Sequence, residues 1–140
     1  MDDLCGTFGR LWRLMGLIME EAEPGLDALG LQPKAFLLLA AVEESPYPAE
    51  LARILGLPPP TVTYLVKPLE AKNYLLRTKE PGDLRRFRLA LTDEGREAVR
   101  LGTAAIHAAF EERQRRLRPG EIRVFDRLVQ RLASTDSGSA

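Results

Sequence analysis

Apolar residues recur every three or four positions over most of this chain, the spacing that gathers them on one face of an α-helix. The first such stretch covers residues 4–22, and Pro24-Gly25 is expected to end that helix. A second helix is predicted from residue 33 to residue 42, after which Ser45-Pro46 breaks the pattern. The N-terminal part of the chain is therefore predicted to be helical.

Two short helices joined by a tight turn are predicted next. The first covers residues 48–55, and Gly56 suits the left-handed residue that closes a helix. The second begins near residue 59, because Pro58-Pro59-Pro60 stands there and proline is tolerated only in the first turn of a helix. The apolar stripe of this second helix consists of Val62, Leu65, Val66 and Leu69.

The opposite face of the second short helix is polar. It carries hydroxyl groups, a phenol and a cation, which suit contacts to base edges and phosphates. A helix of this kind can enter the major groove of duplex DNA at its N-terminal end. The candidate DNA contacts on this helix are Pro60, Thr61, Thr63, Tyr64 and Lys67.

A two-stranded hairpin follows the helices. Its strands are predicted at residues 75–79 and 86–91, where apolar and polar residues alternate. The predicted tip is residues 80–86, in which Pro81-Gly82 marks the turn. The hairpin's candidate DNA contacts are Arg77, Lys79, Arg85, Arg86 and Arg88. A helix pair followed by such a hairpin describes a winged helix-turn-helix, which reads duplex DNA.

Charge is unevenly distributed along the chain, although the formal net charge is zero. Residues 61–88 hold seven Lys or Arg against three Asp or Glu, whereas residues 1–50 hold three against nine. A neutral protein can still bind DNA when its positive charge is gathered on one surface, and the acidic remainder should orient the approach. The alternative is a solvated hairpin that only caps the fold.

Two amphipathic helices are predicted after the hairpin. The first covers residues 93–117, with Thr92 as its cap, and Arg118-Pro119-Gly120 interrupts the pattern. The apolar face of the last helix consists of Ile122, Phe125, Leu128, Val129 and Leu132. The small polar residues 134–140 are expected to be a disordered tail.

The terminal helices carry more apolar surface than a small winged helix can cover. Exposed apolar surface of this extent usually marks an interface, so we expect a twofold homodimer. The dimer would place two recognition helices about one DNA turn apart. The predicted fold class is mainly α with a small β-hairpin wing: a winged helix-turn-helix flanked by N- and C-terminal dimerisation helices.

The composition excludes several other classes of protein. No apolar run is long enough to cross a membrane, and Arg10 and Arg13 interrupt the N-terminal apolar stretch, so no signal peptide is predicted. One cysteine and one histidine leave no internal disulfide and exclude most metal sites. The sequence shows neither a catalytic nucleophile paired with a general base nor a phosphate-binding glycine loop, so it does not indicate an enzyme. No cofactor is expected. We expect a bacterial, cytoplasmic protein.

The order of elements and several short motifs resemble the MarR family of bacterial transcription regulators. The matching residues are Leu51-Ala52, Leu55-Gly56, Thr61-Val62-Thr63, Leu65-Val66, Leu69-Glu70, Asp83-x-Arg85, Leu91-Thr92 and Gly95. The resemblance implies one domain over residues 1–140, with dimerisation helices in 1–32 and 93–133 and a DNA-binding part in 33–92. It implies a homodimer, expected to be a repressor, that releases a near-palindromic operator when a small effector binds. It also adds Asp83 to the DNA interface and gives Arg85 the position of a minor-groove arginine.

Two positions depart from the family pattern. Leu84 stands where family members usually carry an arginine, and Arg86 is the candidate to compensate. Pro68 lies inside the recognition helix, where proline costs about 3 kcal/mol, so a bend is expected there. The base-reading end of the helix precedes Pro68 and is expected to be unaffected.

Two further hypotheses concern regulation, and one concerns an alternative function. Cys5 is predicted in the first turn of the first helix, where organic-peroxide sensors of this family carry a reactive cysteine; the alternative is an ordinary cysteine, because Asp2 and Asp3 oppose a thiolate. A possible effector pocket comprises Trp12, Met15, Met19 and Phe36, which serve equally well as core. The remaining alternative function is a protein-interaction module that binds no DNA.

Overall fold

The computed structural model describes residues 5–135, with Leu84 described by its backbone alone. This part of the chain is mainly helical and contains one antiparallel hairpin, as the sequence predicts. The elements in chain order are α1 (Thr7–Asp27), α2 (Pro33–Ala41), α3 (Pro48–Leu55), α4 (Pro59–Ala71), β1 (Leu75–Glu80), β2 (Asp83–Leu91), α5 (Asp93–Gln114) and α6 (Pro119–Ala133).

The core lies where α2, α3 and α4 meet the hairpin and α5. The predicted stripe of α4 faces it, since Val62, Val66 and Leu69 are buried and Leu65 is half-buried. Gly56 closes α3 in the left-handed conformation, with φ 63°, as predicted. The largest fully buried side chains are Leu26, Leu38, Leu39, Leu51, Leu69, Leu75, Val42 and Val62. This core fixes the position of α4 relative to the hairpin. The two elements together would form the predicted DNA-binding surface.

The predicted end of the first helix at Pro24-Gly25 is wrong, because α1 continues to Asp27. The last turn is held by packing, since Leu26 is fully buried. Gly25 permits a close approach to α5: a Cβ there would lie 2.6 Å from the Cβ of Ala105. Burial of this turn therefore outweighs the disruptive effect of a proline. The predicted helix start at residue 4 lies outside the described residues.

Pro68 does not end the recognition helix, which runs through it to Ala71. Val66 and Leu69 are buried on either side of it, so tertiary packing holds both halves in the helix. The Lys72 N–H donates to the Pro68 carbonyl at 3.0 Å and completes the last turn.

The predicted hairpin tip of residues 80–86 is too long. The turn is only Pro81-Gly82, with Gly82 at φ 86°, and β2 already begins at Asp83. Pairing is regular from Leu75↔Leu91 to Lys79↔Phe87, but Glu80 then pairs with Asp83. Residues 84–86 therefore form a bulge on β2 with no partner on β1. Alternation along the strand predicts its pairing but not such an insertion.

The wing is joined closely to α5. Thr92 caps the helix as predicted, since its hydroxyl oxygen accepts the Gly95 N–H at 2.9 Å. The same hydroxyl donates to the Asn73 carbonyl at 2.6 Å, just before β1. A Cβ at Gly95 would overlap the carbonyl oxygen of Tyr74. Glycine is therefore needed where α5 passes the start of the hairpin.

The two terminal regions pack together through α1 and α5, and Arg113 forms an ion pair with Glu21 at 2.7 Å between them. The helix α5 ends at Gln114, three residues before the predicted end. The helix α6 has no buried residue, and its Phe125 ring meets Phe110 of α5 edge-on at 6.2 Å. Within residues 5–135, no helix is long and apolar enough to cross a membrane.

Candidate nucleic-acid interface

The polar face of α4 is open to solvent. Tyr64 is 74% exposed, and Pro60, Thr63 and Lys67 are also exposed, while Thr61 is half-buried. The Thr63 hydroxyl donates to the Pro59 carbonyl at 3.3 Å, which leaves its oxygen free to accept a hydrogen bond. Four of the five candidate residues therefore lie on one exposed face of α4. The fifth, Thr61, lies in its first turn.

Arg77 on β1 is held by contacts within the protein. Its Nε forms an ion pair with a carboxylate oxygen of Glu70 on α4 at 2.5 Å. Its guanidinium carbon also lies 4.9 Å from the centre of the Phe87 ring on β2. These contacts tie the wing to the recognition helix. A phosphate would have to compete with Glu70 for this arginine.

Two arginines of β2 lie against Tyr47, which precedes α3. The Arg86 guanidinium carbon is 3.9 Å from the centre of the tyrosine ring, and that of Arg88 is 6.0 Å away. Arg88 also approaches Glu80 at 4.0 Å. Cations within about 6 Å of an aromatic centroid are attracted to the ring face. Arg86 and Arg88 therefore brace the wing against the body of the protein.

Arg85 and Lys79 differ from the other wing cations. Among residues 5–135, neither of them forms an ion pair with a carboxylate or lies over an aromatic ring, and both are exposed. The Asp83 carboxylate accepts the backbone N–H of Arg85 at 3.0 Å, so it shapes the start of the bulge. Arg85 is thus placed by its neighbour and left available to a phosphate or a groove.

The roles of Tyr47, Glu70 and Glu80 were not predicted from the sequence. Tyr47 is far from Arg86 along the chain, and only the fold brings an aromatic ring under that arginine. Glu70 and Arg77 are on different elements, so no helical spacing indicates their ion pair. The only available signal was the presence of acidic residues inside an otherwise basic segment.

Comparison with known proteins identifies this arrangement. The sequence profile of the MarR family matches residues 29–86. The HTH-type transcriptional repressor MdtR of Bacillus subtilis is 32% identical over 105 residues, which cover 71% of this chain and 68% of that protein. The HTH-type transcriptional repressor Rv2887 of Mycobacterium tuberculosis is 28% identical over 126 residues, 89% of this chain and 91% of that protein. The chain belongs to the MarR family.

Solved structures of MarR family proteins share the whole fold. Rv2887 in complex with salicylic acid matches with a TM-score of 0.78 and 26% identity, covering 95% of this chain and 100% of that chain. Rv2887 in complex with DNA matches with a TM-score of 0.76 at the same identity, covering 91% and 98%. A MarR family regulator from Rhodococcus sp. RHA1 gives a TM-score of 0.80 at 23% identity over 95% and 96%, a likeness of fold. As a MarR family member, the protein is a DNA-binding transcriptional regulator and not an enzyme.

Cys5 does not lie in the first turn of the first helix of this MarR family protein, so that prediction is wrong. The helix begins at Thr7, and Cys5 and Gly6 precede it with φ values of 57° and 56°. Two successive residues with positive φ cannot continue a right-handed helix. Cys5 is exposed. Its thiol is therefore not held at the helix N-terminus as the sequence suggested, and a redox role stays a hypothesis.

The four candidate pocket residues occupy different environments. Phe36 is buried, and its ring fills the space beside Gly102, where a Cβ would overlap it. Met19 is half-buried against the core. Trp12 and Met15 are 69% and 63% exposed on α1. In the described part of this single chain, Phe36 and Met19 thus belong to the core or pack against it, whereas Trp12 and Met15 lie on the surface.

Proposed function

We propose that this protein is a repressor that binds a near-palindromic operator as a homodimer. The observation that carries the proposal is the exposed polar face of α4, with Tyr64 at its centre, beside a wing that presents Arg85. Support comes from MdtR and Rv2887, which are named as repressors, and from Rv2887, which has been solved with DNA. A regulator of bacterial DNA acts in the cytoplasm, where we propose this one is located.

The exposed apolar surface supports the homodimer. On α1, Phe8, Trp12 and Met15 are exposed, and Phe8 and Trp12 lie together with ring centres 6.4 Å apart. On α6, Leu132 is 82% exposed and Leu128 is also exposed. Apolar surface concentrated on two elements calls for a partner, and a second copy of the same chain is the simplest one.

The dimer divides the chain into two parts. We propose that residues 1–32 and 93–133 form the dimerisation part, and that residues 33–92 form the DNA-binding part. A twofold axis through the first part relates the two copies of α4. Two recognition helices about one helical turn apart would then read the two halves of a near-palindromic site.

The contacts with DNA follow from the geometry of each side chain. Tyr64, Thr63 and Thr61 lie at the N-terminal part of α4, which can reach base edges. Lys67 lies one turn further on, where a long cation meets phosphate. Arg85 is proposed to enter the minor groove beside the wing. Pro60, Lys79 and Asp83 complete the proposed contacts, and the surface around them includes Arg77, Arg86 and Arg88, which hold the wing in place.

Selection of genomic fragments, followed by binding across a salt series, tests this function. Purified protein should enrich a fragment with a near-palindrome, and a duplex of that sequence should bind more tightly than a random duplex of equal length. Binding of both should weaken steeply as salt rises, because bound cations release counterions from DNA. If no duplex is bound at low salt, the protein-interaction module becomes the better account.

We further propose that a small aromatic acid regulates operator binding near Trp12 and Met15. The support is that Rv2887 has been solved with salicylic acid and with p-aminosalicylic acid, together with the exposed aromatic surface of α1. Sodium salicylate should release the operator at concentrations where sodium chloride of equal ionic strength does not. Equal effects of the two salts would contradict the proposal.

A further inference from the structure

Tyr47 connects the loop before α3 to the wing. Its ring lies under Arg86, with 3.9 Å between the ring centre and the guanidinium carbon, and Arg88 lies at 6.0 Å. The backbone adds a second link, because the Leu89 N–H donates to the Pro46 carbonyl at 2.8 Å. The wing therefore rests on this loop through one aromatic ring and one hydrogen bond.

The segment that Tyr47 contacts is the least constrained part of β2. Residues 84–86 form the bulge, and none of them has a partner on β1. Ladder hydrogen bonds do not orient unpaired residues, so the directions of the Arg85 and Arg86 side chains must be set by other contacts. Asp83 supplies one such contact at the start of the bulge, through the Arg85 N–H. Arg86 against Tyr47 supplies the other at its end.

We propose that Tyr47 is a positioning residue for DNA binding, a role that rests on the function proposed above. Its ring fixes Arg86 against the body of the protein. Because Arg86 follows Arg85 directly, this contact fixes the backbone beside Arg85, whose own side chain is exposed, and limits the directions in which Arg85 can project. A wing that is already ordered loses less conformational freedom on binding. Arg86 is therefore an anchor and does not replace the arginine missing at position 84.

Two substitutions of Tyr47 distinguish the contribution of its aromatic ring from that of its hydroxyl group. Tyr47→Leu removes the aromatic face, and Tyr47→Phe is the matched control because it keeps that face. Tyr47→Leu should weaken operator binding about two- to fivefold, the effect of losing an exposed cation–π contact, and Tyr47→Phe should bind like the wild type. In an Arg85→Ala background, Tyr47→Leu should have no further effect, since the residue acts through Arg85.

Proton NMR of the free protein tests the contact between the ring and Arg86 itself, whereas the dependence on Arg85 is the readout that a merely structural role would not change. The side-chain methylene protons of Arg86 should show an upfield ring-current shift in the wild type and in Tyr47→Phe, and should lose it in Tyr47→Leu. If Tyr47→Leu does not fold, Arg86→Lys tests the same contact, because lysine keeps the charge but lacks the planar group that stacks on a ring. It should weaken binding by a similar factor.

Several outcomes would overturn the proposal. Tighter binding by Tyr47→Leu would mean that the ring withholds Arg86 from DNA. Unchanged binding, or an equal loss in the Arg85→Ala background, would mean that Tyr47 does not act through Arg85. A wild-type protein that binds no duplex would refute the proposed function and this role with it, whereas a missing ring-current shift in an operator-binding wild type would refute this role alone.

Discussion

At the scale of single residues, the wing arginines differ in what their guanidinium groups contact. Arg77 pairs with Glu70, and Arg86 and Arg88 lie against Tyr47. Among the described residues, Arg85 has neither an ion pair nor a contact with an aromatic ring. Three of the wing arginines are thus held by contacts within the protein, and Arg85 is the one that we propose contacts DNA.

Arg85→Ala should weaken operator binding by roughly 1–3 kcal/mol and leave the dimer intact, because it removes the available arginine of the wing. Fluorescence anisotropy with a labelled operator measures the effect. The matched control is Arg100→Ala, which removes the same charge from α5, where Arg100 is paired with Glu97. Equal affinities of Arg85→Ala and the wild type at physiological salt would contradict the assignment.

Substitutions of Tyr64 and Lys67 should affect DNA binding in different ways. Tyr64→Ala should change which sequences are bound, at roughly 1–3 kcal/mol for a lost base contact. Lys67→Ala should weaken operator and random duplex about equally and reduce the salt slope by about one unit, because it removes a phosphate contact. The measurement compares the two duplexes across a salt series. An altered sequence preference in Lys67→Ala, but not in Tyr64→Ala, would show that the faces of α4 are misassigned.

At the scale of elements, local patterns determined the type of each helix and strand, whereas tertiary contacts determined several boundaries. The stripe of α4 and the Thr92 cap depend on residues a few positions apart, so the sequence predicts both. The last turn of α1 depends on packing against Ala105, which lies far along the chain. The bulge at residues 84–86 depends on strand register, and the Tyr47 contact on the packing of the loop before α3, so neither was predictable from local spacing.

Gly95→Ala tests the junction between the wing and α5. The new methyl group would overlap the Tyr74 carbonyl oxygen, so the free energy of unfolding should fall by roughly 1–3 kcal/mol despite alanine's higher helix propensity. Gly120→Ala is the control: the nearest atom to its new Cβ is the end of the Arg123 side chain, 3.9 Å away. Urea unfolding measures both. A Gly95→Ala protein as stable as Gly120→Ala would show that this close approach does not constrain the fold.

At the scale of the whole molecule, α6 packs little within its own chain and leaves several apolar side chains exposed. The same chain carries a second exposed apolar group at the start of α1. The DNA-binding surface lies on other elements, α4 and the wing. Association of two chains would therefore cover the apolar helices and leave both DNA-binding surfaces free.

Leu132→Lys should weaken the dimer roughly tenfold or more, because a leucine loses its burial and a cation enters the interface. Gln130→Lys is the matched control, since it places the same cation on the same helix about half a turn around from Leu132. Sedimentation velocity over a range of protein concentrations measures the dissociation constant. A well-folded wild-type monomer at micromolar concentration would contradict the proposed interface.

We propose that two copies of this chain read the two halves of one DNA site. Hydroxyl-radical footprinting of the selected operator, with the mass of the complex measured in parallel, distinguishes this arrangement from binding of a single copy. We expect two protected regions related by a dyad and about 10 base pairs apart, with two protein chains on one duplex. A single protected region, with one chain bound per duplex, would show that one copy reads the site alone.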